Sequence, residues 1–332
     1  MAGDSRNADS AGAQNRGERL ILIANPRAGG GRAGAARDAI LRAAERAFAN
    51  VDVRWTEGPG HATELAGKAA GEADIVAALG GDGTCSEVVN GLVPAGVPVN
   101  RKIVFGVVPF GTGGDLVRSL EVRRPLDKAF WTLATGMTIP LDLGQYTWDD
   151  GRSRVFVNVA GVGANADVSR RANASSKRLG GFLTFLGALL GSLREFSAMP
   201  IRWSWDGPDG PGQLEMDTFA AFCANGHYCG GGMWIGNGGS MADGVFELTI
   251  VPAPSARLAV QLLPRAYDGR FREQKHVTSL RVSTVRVDAP MMLEADGESL
   301  GIGPARIDVL PRALQFRGGW LQPPRGPAST AG

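Results

Sequence analysis

Apolar positions along the chain change rhythm near residue 138. Before it, short apolar runs at 20–24, 51–55, 74–79 and 103–108 alternate with stretches of helical spacing, such as Ile40, Leu41, Ala44, Ala47 and Phe48, or residues 61–70 and 125–134. Short runs closed by turn residues have the pattern of buried parallel strands, and the longer-period stretches between them that of crossover helices. After it, runs at 139–146, 155–160, 201–205, 219–224, 245–251, 277–287 and 291–294 follow one another, with one helical interruption at 181–196. The pattern predicts an α/β chain with an N-terminal parallel-sheet domain over 19–138 and a C-terminal mainly-β domain over 139–310. Residues 311–322 are expected to pack back on the first domain, and the ends, 1–17 and 323–332, to be disordered tails.

Three of the four N-terminal strands run into glycine loops that open helices: Asn25-Pro26-Arg27-Ala28-Gly29-Gly30-Gly31-Arg32, then Gly80-Gly81-Asp82-Gly83-Thr84, then Gly111-Thr112-Gly113-Gly114-Asp115. In a parallel sheet such loops gather along one carboxyl edge, where backbone N–H groups and helix N-termini suit an anion. Thr84 with Glu87, and Thr112 with Asp115, have capping-box spacing, so the helix after the central loop is expected to begin at about Cys85. Asp82 sharpens the reading. A carboxylate among phosphates repels them unless a divalent cation or a transferable proton intervenes, which favours phosphoryl transfer with Mg2+ over simple phosphate holding. An ordinary Asp-Gly turn is the competing account. Gly29, Gly31 and Gly34 also satisfy GxGxxG, with Asp52 downstream, but a dinucleotide-binding oxidoreductase leaves the Asn-Pro and the second loop without a role. His61 reads either as a nucleotide contact or, more simply, as a polar residue in the first turn of a surface helix.

Composition narrows the partners. The 332 residues are 44% hydrophobic and 20% charged, with a net charge of only +2, so nothing calls for nucleic acid. Lysines are limited to Lys68, Lys102, Lys128, Lys177 and Lys275, and none stands in a Walker GK[ST] setting. Cys85, Cys223 and Cys229 have neither disulfide-framework nor zinc spacing, which points to a reducing cytoplasm. The polar N-terminus does not read as a signal peptide, and no apolar run reaches the roughly 20 residues of a membrane span.

The set NPRAGGGR, GGDGTCSEVVNGL and PFGTGGDL, in this order, resembles the catalytic domain of the diacylglycerol kinase and sphingosine kinase superfamily, in its bacterial soluble lipid kinase form. NAD kinases share GGDGT and a related nucleotide-binding domain. The resemblance extends over about 19–320 and implies a β-sandwich for the second domain, holding a lipid acceptor, with the active site in the cleft between domains. Gly114 stands where the bacterial pattern has Asn, and Ser86 where Asn is common. These departures imply altered affinity or selectivity more than lost chemistry.

Carried onto this sequence, the resemblance implies an ATP site at Asn25, Pro26, Gly29, Gly30, Gly31, Arg32, Thr56, Gly80, Gly81, Gly83, Thr84, Glu87, Gly111, Thr112, Gly113 and Asp115. It also implies Mg2+ ligands among Asp82, Asp115 and Asp243. In Asp296-Gly297-Glu298 it makes Glu298 the general base for the acceptor hydroxyl, with Asp296 beside it and Asp82 as the alternative base. Asp243 has a second account as part of an Asp-Gly hairpin turn. Helix 181–196 either packs under the sheet without a further role, or walls the lipid pocket or touches the membrane surface. The expected function is γ-phosphoryl transfer from ATP to a lipid hydroxyl, by an enzyme at most peripheral to the membrane and compatible with a homodimer. A kinase of a soluble acceptor such as NAD and a non-catalytic nucleotide-binding regulator remain as alternatives.

Overall fold

Leu20 to Ala24 have no face to offer water, and every one of them is fully buried. They lie in β1 (Asn15–Ala24). After it come α1 (Arg32–Ala35), α2 (Arg37–Ala47), β2 (Phe48–Trp55), α3 (His61–Ala69), β3 (Ile75–Gly80), α4 (Asp82–Leu92), β4 (Val104–Pro109), α5 (Asp115–Ser119) and α6 (Leu126–Thr135). The computed structural model describes residues 15–110, 114–122, 124–168, 191–192, 198–236, 238–252 and 264–318. All four strands are parallel, in the order β4-β3-β1-β2. Alternate residues of the central strands serve opposite layers. Ile21, Ile23, Val76 and Ala78 meet Ala62 and Ala66 of α3 and Val88 and Val89 of α4. Leu20, Leu22, Ile75 and Ala77 meet Ile40 and Ala44 of α2 and Phe130 and Leu133 of α6.

The second half is strand after strand: β5 (Ile139–Trp148), β6 (Ser153–Phe156), β7 (Val159–Gly163), β8 (Met199–Asp206), β9 (Gly212–Ala224), β10 (Tyr228–Cys229), β11 (Met233–Trp234), β12 (Phe246–Pro252), β13 (Thr278–Val282), β14 (Thr284–Asp288), β15 (Met292–Ala295), β16 (Glu298–Ile302) and β17 (Ala305–Arg317). They pair antiparallel with one another around a core that includes Tyr146, Phe156, Trp203, Phe246, Val285 and Ile307. β17 belongs to both halves. Its first residues pair with β14 and β5, and its last three, Gln315 to Arg317, pair in parallel with Val104 to Gly106 of β4. Asp142 of β5 stitches the irregular middle of β17, accepting hydrogen bonds from the amides of Arg312 (2.6 Å) and Gly244 (2.7 Å). Among the described residues no helix is long and apolar enough to cross a membrane.

The α/β class and both halves are as the pattern predicts, and local details differ. β1 starts at Asn15, inside the stretch expected to be a tail. The run 155–160 is two strands, because the amides of Val157 to Val159 turn to Asp296. The run 277–287 breaks at Ser283, whose amide donates to the Asp206 carbonyl. α4 begins at Asp82, three residues early, and the Thr84/Glu87 capping box does not form. Thr84 accepts from the Asn25 side chain, and Glu87 accepts from the Ala62 amide at the start of α3. Helix 181–196 lies outside the described residues except for Gly191 and Ser192, as do the C-terminal tail and Gly111, Thr112 and Gly113.

Candidate active site

The ends of the parallel strands are laced together at one edge. The Asn25 amide donates to the Leu79 carbonyl (3.0 Å), the Thr56 amide to that of Ala24 (2.9 Å), and the Phe110 amide to that of Gly80 (3.2 Å). Asn25 also joins the first loop to the second through Nδ2 and Thr84 Oγ1 (3.2 Å), while its Oδ1 accepts from the Arg27 amide and closes the turn over Pro26. Gly29, Gly30 and Gly31 then have φ of 63°, 72° and 88° in succession. Only glycine holds three such residues without strain, and a Cβ added at Gly30 or Gly31 would meet nothing within 4 Å. The result is an open backbone surface of the kind that receives phosphate oxygens. Arg32 Nε donates to the Gly29 carbonyl (2.8 Å), which folds a guanidinium over this loop. Gly81 caps α4 without a side-chain bond, so among the described residues no side chain occupies the first-turn amides of α4, which suit an anion.

Asp82 stands at the head of α4. Its Oδ2 accepts from the Asp115 amide (3.0 Å), and its Oδ1 is buried without a hydrogen-bond partner among the described residues. Burial pushes its pKa up, and the nearby Asp115 charge adds to the rise. A buried carboxylate oxygen left unpaired is costly unless something binds it. Mg2+ takes one or two carboxylates together with substrate phosphates and water, so the site fits Mg2+ with Asp82 Oδ1 as the ligand. Asp115 is already committed, Oδ1 to Arg118 Nη1 and Oδ2 to the Gly231 amide, both at 2.7 Å.

The sandwich faces this edge with the hairpin of β15 and β16. Asp296 and Gly297 turn it with φ of 50° and 88°, a two-residue connection whose twist suits the strands. The Asp296 carboxylate accepts from three consecutive amides, Val157 (3.0 Å), Asn158 (2.9 Å) and Val159 (3.2 Å). Burial still pushes its pKa up to about 6 against those amides, and the Asp82 charge contributes to the rise. Glu294, before the turn, accepts from the Gly297 amide (2.7 Å), and burial pushes its pKa up to about 7. Glu298, after the turn, pairs with Arg154 Nη2 of β6 at 2.7 Å and is partly open to solvent.

Carboxylates from distant parts of the chain thus meet. Asp82 and Asp115 touch, Asp296 feels the charge of Asp82, and the buried Cys85 thiol is pushed up by burial and by both Asp82 and Asp296. Asp243 is elsewhere. Its carboxylate binds Arg281 (2.9 Å) and the Val245 amide (3.3 Å), and among the described residues no hydrogen bond joins it to Asp82. Glu87 is likewise turned to α3, Asp52 pairs with Arg54 at 2.9 Å, and His61 accepts from the Glu57 amide. Sequence reasoning passed over Arg118, Ser119, Arg154, Asn158 and Glu294. Asn158 and Glu294 did carry a signal, each a lone polar residue inside an apolar run.

Gly114 has φ 135°, and a Cβ there would stand 3.0 Å from Val117 Cβ and 3.4 Å from Arg124 Nη2. Gly114→Asn is therefore expected to lower stability by about 1–3 kcal/mol, read as a fall in Tm. An unchanged Tm would show that this turn relaxes freely.

Comparison with known proteins matches both halves of the chain. Residues 19–146 match the diacylglycerol kinase catalytic domain, and residues 158–317 match the YegS C-terminal NAD kinase beta sandwich-like domain. A diacylglycerol kinase of Mycobacterium tuberculosis is 30% identical over 311 residues, 92% of this chain and 97% of its own. A diacylglycerol kinase of Bacillus subtilis is 28% identical over 279 residues, 83% and 88% of the two chains. The crystal structure of a diacylglycerol kinase from Bacillus anthracis shares the fold, with a TM-score of 0.68 at 22% identity over 92% of this chain and 98% of that one. With both halves matched in order and a relative aligned along nearly its whole length, the chain belongs to the diacylglycerol kinase family and is a lipid kinase.

Proposed function

We propose that this kinase transfers the γ-phosphoryl group of ATP, with Mg2+, to the free hydroxyl of diacylglycerol. The observation that carries the reading is the buried Asp82 Oδ1, without a hydrogen-bond partner among the described residues and set between a phosphate-type loop edge and the Asp296 hairpin. The names of the relatives favour diacylglycerol as the acceptor. The glycine loop at Gly29 to Gly31 and the head of α4 receive the phosphates, with Arg32 and Arg118 supplying positive charge. Bound at Asp82, Mg2+ supplies charge neutralisation on the phosphate oxygens. Phosphoryl transfer asks mainly for positioning and charge stabilisation, so the protein has one proton to handle. Glu298 accepts it from the lipid hydroxyl as the new O–P bond forms, since its partly open carboxylate can reach the cleft. Asp296, fixed by three amides, holds the turn that presents Glu298.

The test is ADP release from ATP and Mg2+ with detergent-dispersed diacylglycerol, beside a sphingoid base, NAD and no acceptor. Turnover is expected with diacylglycerol, and turnover with NAD alone would overturn the reading. Glu298→Gln is expected to lower kcat by about 10²–10⁴-fold with KM for ATP unchanged, the range for loss of a general base. A wild-type rate in that variant moves the base to Asp82.

A further inference from the structure

Two buried polar residues join the nucleotide side of the cleft to the acceptor side, and the chemistry above uses neither. Ser119, the last residue of α5, is 1% exposed, and Asn158, between β6 and β7, is 5% exposed. Ser119 Oγ lies 3.1 Å from Asn158 Oδ1 and 3.0 Å from the Asp115 carbonyl, two acceptors that share its single proton. It accepts in turn from the amides of His227 (2.9 Å) and Tyr228 (3.3 Å). Asn158 is bonded through both its side chain and its backbone. Nδ2 donates to the Tyr228 carbonyl (2.8 Å), and its backbone carbonyl accepts from the amides of Asn225 (3.0 Å) and Gly226 (2.8 Å). Its own amide donates to Asp296 Oδ1.

α5 therefore works as a strut. At its first residue the Asp115 amide holds the Asp82 carboxylate, and at its last Ser119 holds Asn158, the middle of the amide cradle around Asp296. The joint has no slack. A Cβ on Gly226 would stand 2.0 Å from Asn158 Oδ1 and 2.9 Å from Ser119 Oγ. A tightly connected buried network of this kind favours one geometry, because displacing Ser119 or Asn158 leaves a buried partner unpaired.

We infer that Asn158, acting through Ser119, is a positioning residue that sets the Asp296–Glu298 hairpin against Asp82 for phosphoryl transfer. This rests on the functional reading above. The test uses the full-length enzyme with ATP, Mg2+ and dispersed diacylglycerol, and measures kcat, the equilibrium affinity for ATP, and Tm. Ser119→Ala and Asn158→Ala are each expected to lower kcat about 10- to 100-fold, the scale of a misplacement of about 1 Å, with ATP affinity unchanged. The double variant is expected to be no slower than the slower single one, because either change breaks the same link. Ser119→Thr, which keeps the hydroxyl, is expected to restore most of the rate. Should Asn158→Ala fail to fold, Ser119→Ala decides, since it leaves the cradle amides in place. Wild-type kcat in Ser119→Ala, with only Tm reduced, overturns the inference and leaves the functional reading standing. An absence of wild-type turnover on every lipid overturns both.

Discussion

Replacing Asp82 by Asn is expected to cut phosphoryl transfer by about 10³-fold or more, the scale of losing one charge-stabilising group from such a reaction. The same change is expected to leave Tm equal to or above that of the wild type. The two expectations share a cause. Oδ1 is buried without a hydrogen-bond partner among the described residues, and burial already disfavours the charge that the site holds there. In the ligand-free protein that charge opposes folding, so removing it relieves the fold while it removes the group proposed to receive Mg2+. A site held ready at some expense of stability is common in enzymes. Parallel thermal denaturation and lipid phosphorylation assays check both halves. A rate within tenfold of the wild type would overturn the assignment of Asp82, and a large fall in Tm would overturn the account of its burial.

The second large effect is expected at Asp296. Its three amide donors would be stranded by Asp296→Ala, each at about 1–3 kcal/mol, so a loss of about 3 kcal/mol or more is expected, together with most of the activity. The pH dependence follows from its elevated pKa. Burial raises it from 3.8 to about 6, so between those values the folded protein binds a proton that the unfolded chain has released. The stability this contributes is complete below the lower value and is lost as pH rises through about 6. Glu294, raised from 4.5 to about 7, acts in the same direction over a slightly higher range. The ligand-free enzyme should therefore gain stability from these two groups as pH falls from about 7.5 to about 5. Denaturant melts across that range in the wild type and in Glu294→Gln check the sign, and the Gln variant is expected to show a shallower slope. A wild-type slope of opposite sign, with the variant unchanged, would refute it.

The parallel sheet and its loops were legible in the sequence because each signal is local. An apolar run closed by glycines needs no distant partner to be read, and Leu20 to Ala24 and Ile75 to Leu79 are buried as that pattern requires. The motifs at Gly29 to Gly31, Gly80 to Thr84 and Asp296 to Glu298 carried the rest. What failed were inferences in which a polar side chain had a choice of partners. Thr84 and Glu87 have the spacing of a local cap, yet each bonds a residue brought in by another loop or helix. The run from Val155 to Ala160 looks like one strand, but three amides from Val157 on serve a carboxylate far along the chain. Asp243 is a different case: the resemblance implied a metal ligand and the Gly neighbour a turn. Its carboxylate accepts from the Val245 amide as such a turn does, while its other partner, Arg281, is distant in sequence.

The path of β17 bears on how the protein is made. The strand enters the sandwich between β14 and β5 and its last residues lie along β4, so the N-terminal sheet takes its final strand from residues 315–317. Until those residues leave the ribosome, β4 presents an open edge, of the sort that invites pairing with other chains. The half that is synthesised first is thus the half whose sheet is completed last.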